Sequence, residues 1–97
     1  MTSVFLDYNT IGPEELDPTP IKKCLPGLKL FDSTSPEEVS NRVKNAEFIL
    51  TNKVKLFEGN LKTAEKLKFI GLTATGADNI DLEYAKSRNI RVCNIRA

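Results

Sequence analysis

The chain has 97 residues, 40% hydrophobic and 28% charged, which is material for one domain with a core rather than for two domains or a disordered segment. Its 14 basic and 13 acidic residues leave a net charge of +1, so nothing marks a partner such as nucleic acid or anionic lipid, and a ligand is expected to be small and held by local geometry. No apolar run approaches the roughly 20 residues of a membrane span, and Met1-Thr2-Ser3 does not open a secretory signal, so a cytoplasmic protein is expected. Ser3-Val4-Phe5-Leu6-Asp7 is a β-type run closed by the turn formers Asn9 and Gly12-Pro13. Pro18 and Pro20 can open a short helix through Ile21 and Leu25. Leu28 to Phe31 reads as a second, weaker strand.

Ser35-Pro36-Glu37-Glu38 is a strong helix start. Ser35 is the expected N-cap, Pro36 the first helical residue, and Glu38 completes a capping box three residues on. Val39, Val43 and Ala46 follow as a narrow apolar stripe. Phe48 to Thr51 is a third strand, Asn60 to Lys66 a helix, and Lys68 to Thr73 a fourth strand. Asp81 is the N-cap of a further helix with Ala85 on its inner face. That helix ends near Asn89, a residue that tolerates a left-handed C-terminal conformation. Ile90 to Cys93 is a fifth strand.

Strands and helices that alternate in this way predict an α/β fold: a flavodoxin-like, parallel five-stranded sheet with helices on both faces. Its strands are short continuous apolar runs, as expected where both faces are covered. A complete domain of that type has a fifth helix after the last strand. The chain stops at Asn94-Ile95-Arg96-Ala97, so the final helix is expected to be lacking and one sheet face to be covered from outside or exposed.

The cysteines, Cys24 and Cys93, form no C-x-x-C pair, and the chain has no histidine to join them at zinc. They read as two buried or half-buried thiols in a reducing compartment, and no metal site is expected. The missing histidine bears on chemistry as well. Many hydrolases and most dehydrogenases of simple hydroxy acids use histidine as general acid or base; if the chain belongs to any such enzyme, that residue lies elsewhere.

Open parallel sheets bind ligands at the carboxyl ends of their strands. Three segments are candidates: Tyr8-Asn9, Asn52-Lys53, and Thr73-Ala74-Thr75-Gly76-Ala77-Asp78-Asn79. The last has small residues and a glycine that let a ligand approach the main chain. Successive N–H groups there can form an anion nest. Equally, Gly76 can serve only a tight strand-to-helix turn, Lys53 can be a solvated loop lysine, and Asn52 can simply close a turn.

The string Leu67-Lys68-Phe69-Ile70 through Gly76-Ala77-Asp78-Asn79-Ile80-Asp81 closely resembles the "L-K-x-I-x-x-x-x-x-G-x-D-N-I-D" region of D-2-hydroxyacid dehydrogenases. Ala85 through Asn89-Ile90-Arg91-Val92-Cys93-Asn94 is similar to that family's "A-x-x-x-G-I-x-V-x-N". Thr34-Ser35-Pro36-Glu37-Glu38 and Ile49-Leu50-Thr51-Asn52-Lys53 fit best the glycerate or hydroxypyruvate reductase branch. Asn89 replaces a frequent glycine, and both residues tolerate positive φ. Thr75 replaces a small apolar residue; its hydroxyl can bond substrate or its own backbone.

The resemblance implies that residues 1–97 are the substrate-binding domain of an NAD- or NADP-dependent enzyme acting on small 2-hydroxy or 2-keto acids. Main-chain amides at Thr75 and Gly76, with Ala74 beside them, would bind the substrate carboxylate. Asn52, Lys53 and Asn94 would face the cleft. The catalytic arginine, glutamate and histidine, and the G-x-G-x-x-G loop for the cofactor, would follow Ala97; Arg96 is not at the catalytic arginine's place. The chain alone would then be inactive and prone to self-association, and the full-length protein a homodimer. A different reading is a non-catalytic, protein-binding module of corepressor or regulatory type on the same fold. A receiver domain is disfavoured, because the third strand ends in Thr51-Asn52-Lys53 rather than in a phosphorylatable aspartate.

Overall fold

In a computed structural model, residues 2–8, 23, 27–73 and 78–94 are described. Five strands form one sheet: β1 (Ser3–Phe5), β2 (Lys29–Leu30), β3 (Phe48–Thr51), β4 (Phe69–Leu72) and β5 (Arg91–Asn94). Their order is β2-β1-β3-β4-β5 and every pairing is parallel. This is the flavodoxin-type order, as expected from the alternation of elements. Three described helices accompany it: α1 (Pro36–Val43), α2 (Glu58–Leu61) and α3 (Leu82–Ser87).

One face of the sheet carries Val4, Ile49, Ile70 and Leu72, which form a single cluster with Val39 and Val43 of α1, Leu61 of α2 and Ala85 of α3. On the other face Phe5 and Leu50 are buried, and Phe48 stacks on Phe69 with ring centroids 4.6 Å apart. The helix expected over Pro18 to Leu25 lies outside the described residues except for Lys23, which is helical.

α1 begins where expected. Glu38 Oε1 accepts from the Ser35 N–H at 3.0 Å and from the Ser35 hydroxyl at 2.9 Å. α3 also begins as expected, with the Asp81 carboxylate accepting from the Tyr84 N–H at 3.0 Å. At its far end Asn89 has φ 56°, the left-handed conformation that asparagine tolerates.

Other boundaries differ from the sequence-based ones. β1 stops at Phe5 instead of Asp7, and β2 and β4 are shorter than expected at both ends. β5 runs one residue later than expected, because the Ile90 N–H donates to the Ala85 carbonyl at 2.9 Å and closes α3. The largest correction concerns α2, which spans Glu58–Leu61 rather than Asn60 to Lys66. Asn60 anchors its first turn: its Oδ1 accepts from the Phe57 N–H at 3.0 Å, and its Nδ2 donates to the Lys55 carbonyl at 2.8 Å. Past Leu61 the helix gives way to a tight turn in which the Ala64 N–H donates to the Leu61 carbonyl at 2.9 Å, and Arg88 also donates to the Leu61 and Ala64 carbonyls at 2.9 and 2.8 Å. Cys93 is exposed rather than buried or half-buried: on the edge strand β5 it stands on the face opposite the one that α1, α2 and α3 cover. Cys24 lies outside the described residues.

Candidate functional site

The parallel register sets Thr51, Leu72 and Asn94 abreast at the carboxyl ends of β3, β4 and β5. The chain therefore leaves β3 as Asn52-Lys53 and β4 as Thr73 on the same edge, and Asn94 stands beside them. The Thr73 N–H donates to the Thr51 carbonyl at 3.0 Å, extending the ladder one step beyond β4. The Thr73 hydroxyl oxygen is buried and has no hydrogen-bond partner among the described residues. Lys53 and Asn94 are exposed, and Asn52 is half-buried. Ala74, Thr75 and Gly76 lie outside the described residues. Of the expected site residues, the fold thus gathers Asn52, Lys53 and Asn94 at one edge.

A buried carboxylate organises the β3 exit. Asp7 is 2% exposed. Its Oδ1 accepts from the Thr51 hydroxyl at 3.0 Å and from the Asn52 N–H at 2.8 Å. Its Oδ2 accepts from the Lys53 N–H at 2.7 Å. The Thr51 Oγ1 in turn accepts from the Val54 N–H at 3.2 Å. Beside this cluster lies a mainly apolar hollow of about 480 Å³, bordered by Asp7, Thr34, Pro36, Lys53, Phe57 and Asn60.

The segment Asp78-Asn79-Ile80-Asp81 is built into the same edge by backbone pairing. The Leu56 N–H donates to the Asn79 carbonyl, and the Asp81 N–H donates to the Leu56 carbonyl, both at 2.9 Å. The Asn79 side chain donates to the Val54 carbonyl at 2.8 Å, and Ile80 is buried. These residues hold the C-terminal end of the β4–α3 loop against the β3–α2 loop. The most specific motif of the sequence thus serves, in its described part, to bond the residues before α3 to Val54 and Leu56.

Sequence reasoning passed over Asp7 and Thr51. The signal was an aspartate at the end of an apolar strand run, where a buried charge needs dedicated donors. Which donors it finds depends on the pairing of β1 with β3, across 44 to 46 residues of sequence. Among the described residues, no group of three or more histidine, cysteine or acidic side chains gathers to hold a metal ion. No described helix is long and apolar enough to cross a membrane.

Residues 5–97 match the family described as D-isomer specific 2-hydroxyacid dehydrogenase, catalytic domain. The chain is 40% identical over 95 residues to a glycerate dehydrogenase of Methylorubrum extorquens, covering 96% of this chain and 29% of that protein. It is 32% identical over 98 residues to a hydroxypyruvate reductase of Blautia hydrogenotrophica, covering 98% of this chain and 30% of that protein. Among solved structures, a D-lactate dehydrogenase of Aquifex aeolicus complexed with NAD and lactic acid superposes with a TM-score of 0.74 at 28% identity, over 98% of this chain and 28% of that one. The NAD+-bound 3-phosphoglycerate dehydrogenase of Entamoeba histolytica gives a TM-score of 0.76 at 25% identity, over 97% of this chain and 32% of that one. The chain thus spans less than a third of the length of these relatives.

Proposed function

The chain belongs to the D-isomer specific 2-hydroxyacid dehydrogenase family, and we propose that residues 1–97 are the substrate-binding part of an NAD(P)-dependent oxidoreductase. Its substrates are small D-2-hydroxy acids or the matching 2-keto acids, of the glycerate, hydroxypyruvate or glyoxylate type. The observation that carries this reading is the convergence of Asn52, Lys53, Thr73 and Asn94 at the carboxyl edge, where open parallel sheets bind ligands. The relatives named glycerate dehydrogenase and hydroxypyruvate reductase favour this substrate class.

In this proposal the Thr75 and Gly76 amides bind the acid's carboxylate, and Ala74 is small enough to let it reach the main chain. Lys53 supplies positive charge at the rim. Asn52 and Asn94 offer hydrogen bonds to the carboxylate or the C2 oxygen. These residues hold and orient the acid so that the reacting carbon meets its partner group in one geometry. The 97 residues contain no G-x-G-x-x-G loop, so they do not by themselves cradle a dinucleotide. NAD or NADP, which supplies or takes the hydride when bound, is assigned to the rest of a longer, cytoplasmic and homodimeric protein.

The test is steady-state turnover of hydroxypyruvate and glyoxylate with NADH and NADPH, on the full-length protein and on residues 1–97 alone. Turnover is expected from the full-length protein, with none from the 97 residues. Reduction by the short chain, or none by the full-length protein, rejects the reading. Lys53→Ala is expected to raise KM for the acid about tenfold, which is ~1.4 kcal/mol of binding, and to leave KM for the nucleotide unchanged.

A further inference from the structure

We propose that Asp7 is a positioning residue for the acid: its carboxylate sets the backbone from which Asn52 and Lys53 reach the cleft. The inference rests on the reading of Asn52 and Lys53 as substrate-facing, and it concerns a residue that does not itself touch substrate.

Three consecutive amides, those of residues 52, 53 and 54, turn inward at the end of β3. Asn52 and Lys53 donate directly to Asp7, and Val54 donates to Thr51 Oγ1, whose own proton goes to Asp7. Successive N–H groups turned to one point form a nest that elsewhere receives a ligand anion. Here the chain's own buried carboxylate takes two of the three N–H groups, and Thr51 Oγ1 takes the third. Two consequences follow. These amides are not available to substrate, so Asn52 and Lys53 can donate to it only through their side chains. And bonds to an ionised acceptor are shorter and about twice as strong as neutral ones, so the loop is held in one conformation before the acid arrives. Such preorganisation removes an ordering cost from binding.

Asp7→Asn is close to isosteric and discriminating. Asp7 Oδ1 serves two donors and Oδ2 serves the Lys53 N–H. An amide in that place must turn its NH2 toward either the Asn52 or the Lys53 N–H, setting donor against donor. The loop therefore shifts at residues 52 and 53 whichever way the amide lies.

The experiment is a kinetic comparison, in the full-length protein, of wild type, Asp7→Asn, Thr51→Val, Thr51→Ser and Lys53→Ala, with hydroxypyruvate and NADH as probes. Asp7→Asn is expected to raise KM for hydroxypyruvate about tenfold, with KM for NADH unchanged and kcat within about twofold. Thr51→Val, which removes one donor to Asp7 and the acceptor of the Val54 N–H, should shift KM the same way. Thr51→Ser should restore it. A merely structural role would lower the amount of active protein, and so the apparent kcat, without moving KM for the acid. If Lys53→Ala raises KM and Asp7→Asn does not, the proposal fails while the reading of the site stands. Should Asp7→Asn fail to fold, the Thr51 pair decides: wild-type KM in Thr51→Val overturns the proposal. Unchanged KM in Lys53→Ala, or no hydroxypyruvate-dependent turnover at all, overturns the reading and the proposal together.

Discussion

Glu38 shows how one side chain can serve both a local and a pH-dependent role. The hydrogen bond from the Ser35 backbone, helped by the Ser35 hydroxyl and by the charge of Arg42, holds its carboxyl below the usual 4.5. A carboxyl whose folded pKa is depressed stabilises the fold above its unfolded pKa, and that contribution is lost as pH falls through the folded value. Glu38→Gln keeps an acceptor for Ser35 but not the charge. Denaturant melts should therefore find the wild type more stable near neutrality. The gap should close as pH drops below about 4.5, the ordinary glutamate value; a gap constant from pH 7 to 3 would contradict this assignment. The same residue scale separates Asp81 and Ser35, whose capping roles follow from type and spacing, from Asp7, whose role appears only when β1 lies beside β3. Asn52 and Lys53 stood out in the sequence through their place after a strand, and neither their side-chain exposure nor the carboxylate behind them was legible there.

At the scale of elements, α2 and the β4–α3 connection depend on contacts from elsewhere. α2 has four residues, far below the length at which a helix holds itself in water. Asn60 at its start and the turn closed by the Ala64 N–H on the Leu61 carbonyl at its end define it, which is why the apolar spacing of Leu61 and Ala64 alone misplaced it by two residues at the start. The β4–α3 loop is pinned to the β3–α2 loop by Asn79, whose side chain donates to the Val54 carbonyl at 2.8 Å. Asn79→Ala should destabilise by about 1 kcal/mol through that lost bond. Asn79→Asp should cost more, since a carboxylate would then face a carbonyl oxygen. Chemical unfolding checks both. If Asn79→Asp matched wild type, the side chain would not be a tether between the loops.

The molecule as a whole is held by one apolar layer between the sheet and its described helices. Ile70 lies at its centre, fully buried on a strand with a neighbour on each side. Ile70→Ala should lower stability by ~2–5 kcal/mol, the usual range for such a truncation. Unfolding at equilibrium measures this directly, and a loss below about 1 kcal/mol would mean that the layer closes over the gap. The opposite face is treated unequally. Phe5 and Leu50 are buried there, whereas Arg91 and Cys93, at the β5 edge, are exposed. Cys93 should accordingly react with a thiol reagent in the native chain, without denaturant, as read by mass spectrometry of the peptide that carries it, and an unmodified Cys93 would contradict its exposure.

Strand and helix types, their alternation, the parallel flavodoxin-like sheet and the caps at Ser35 and Asp81 could all be read along the chain. Each rests on local rules: apolar period, propensity and the side chains that satisfy free helix N–H groups. The shared edge of Asn52, Lys53 and Asn94 could be expected from strand ends, but their alignment comes from the register of β3, β4 and β5. The extent of α2 and the hydrogen bonds that gather Thr51, Asn52 and Lys53 around Asp7 belong to tertiary structure alone. They depend on donors and acceptors distant in sequence, and a buried carboxylate declares its partners only once the strands that carry them are paired.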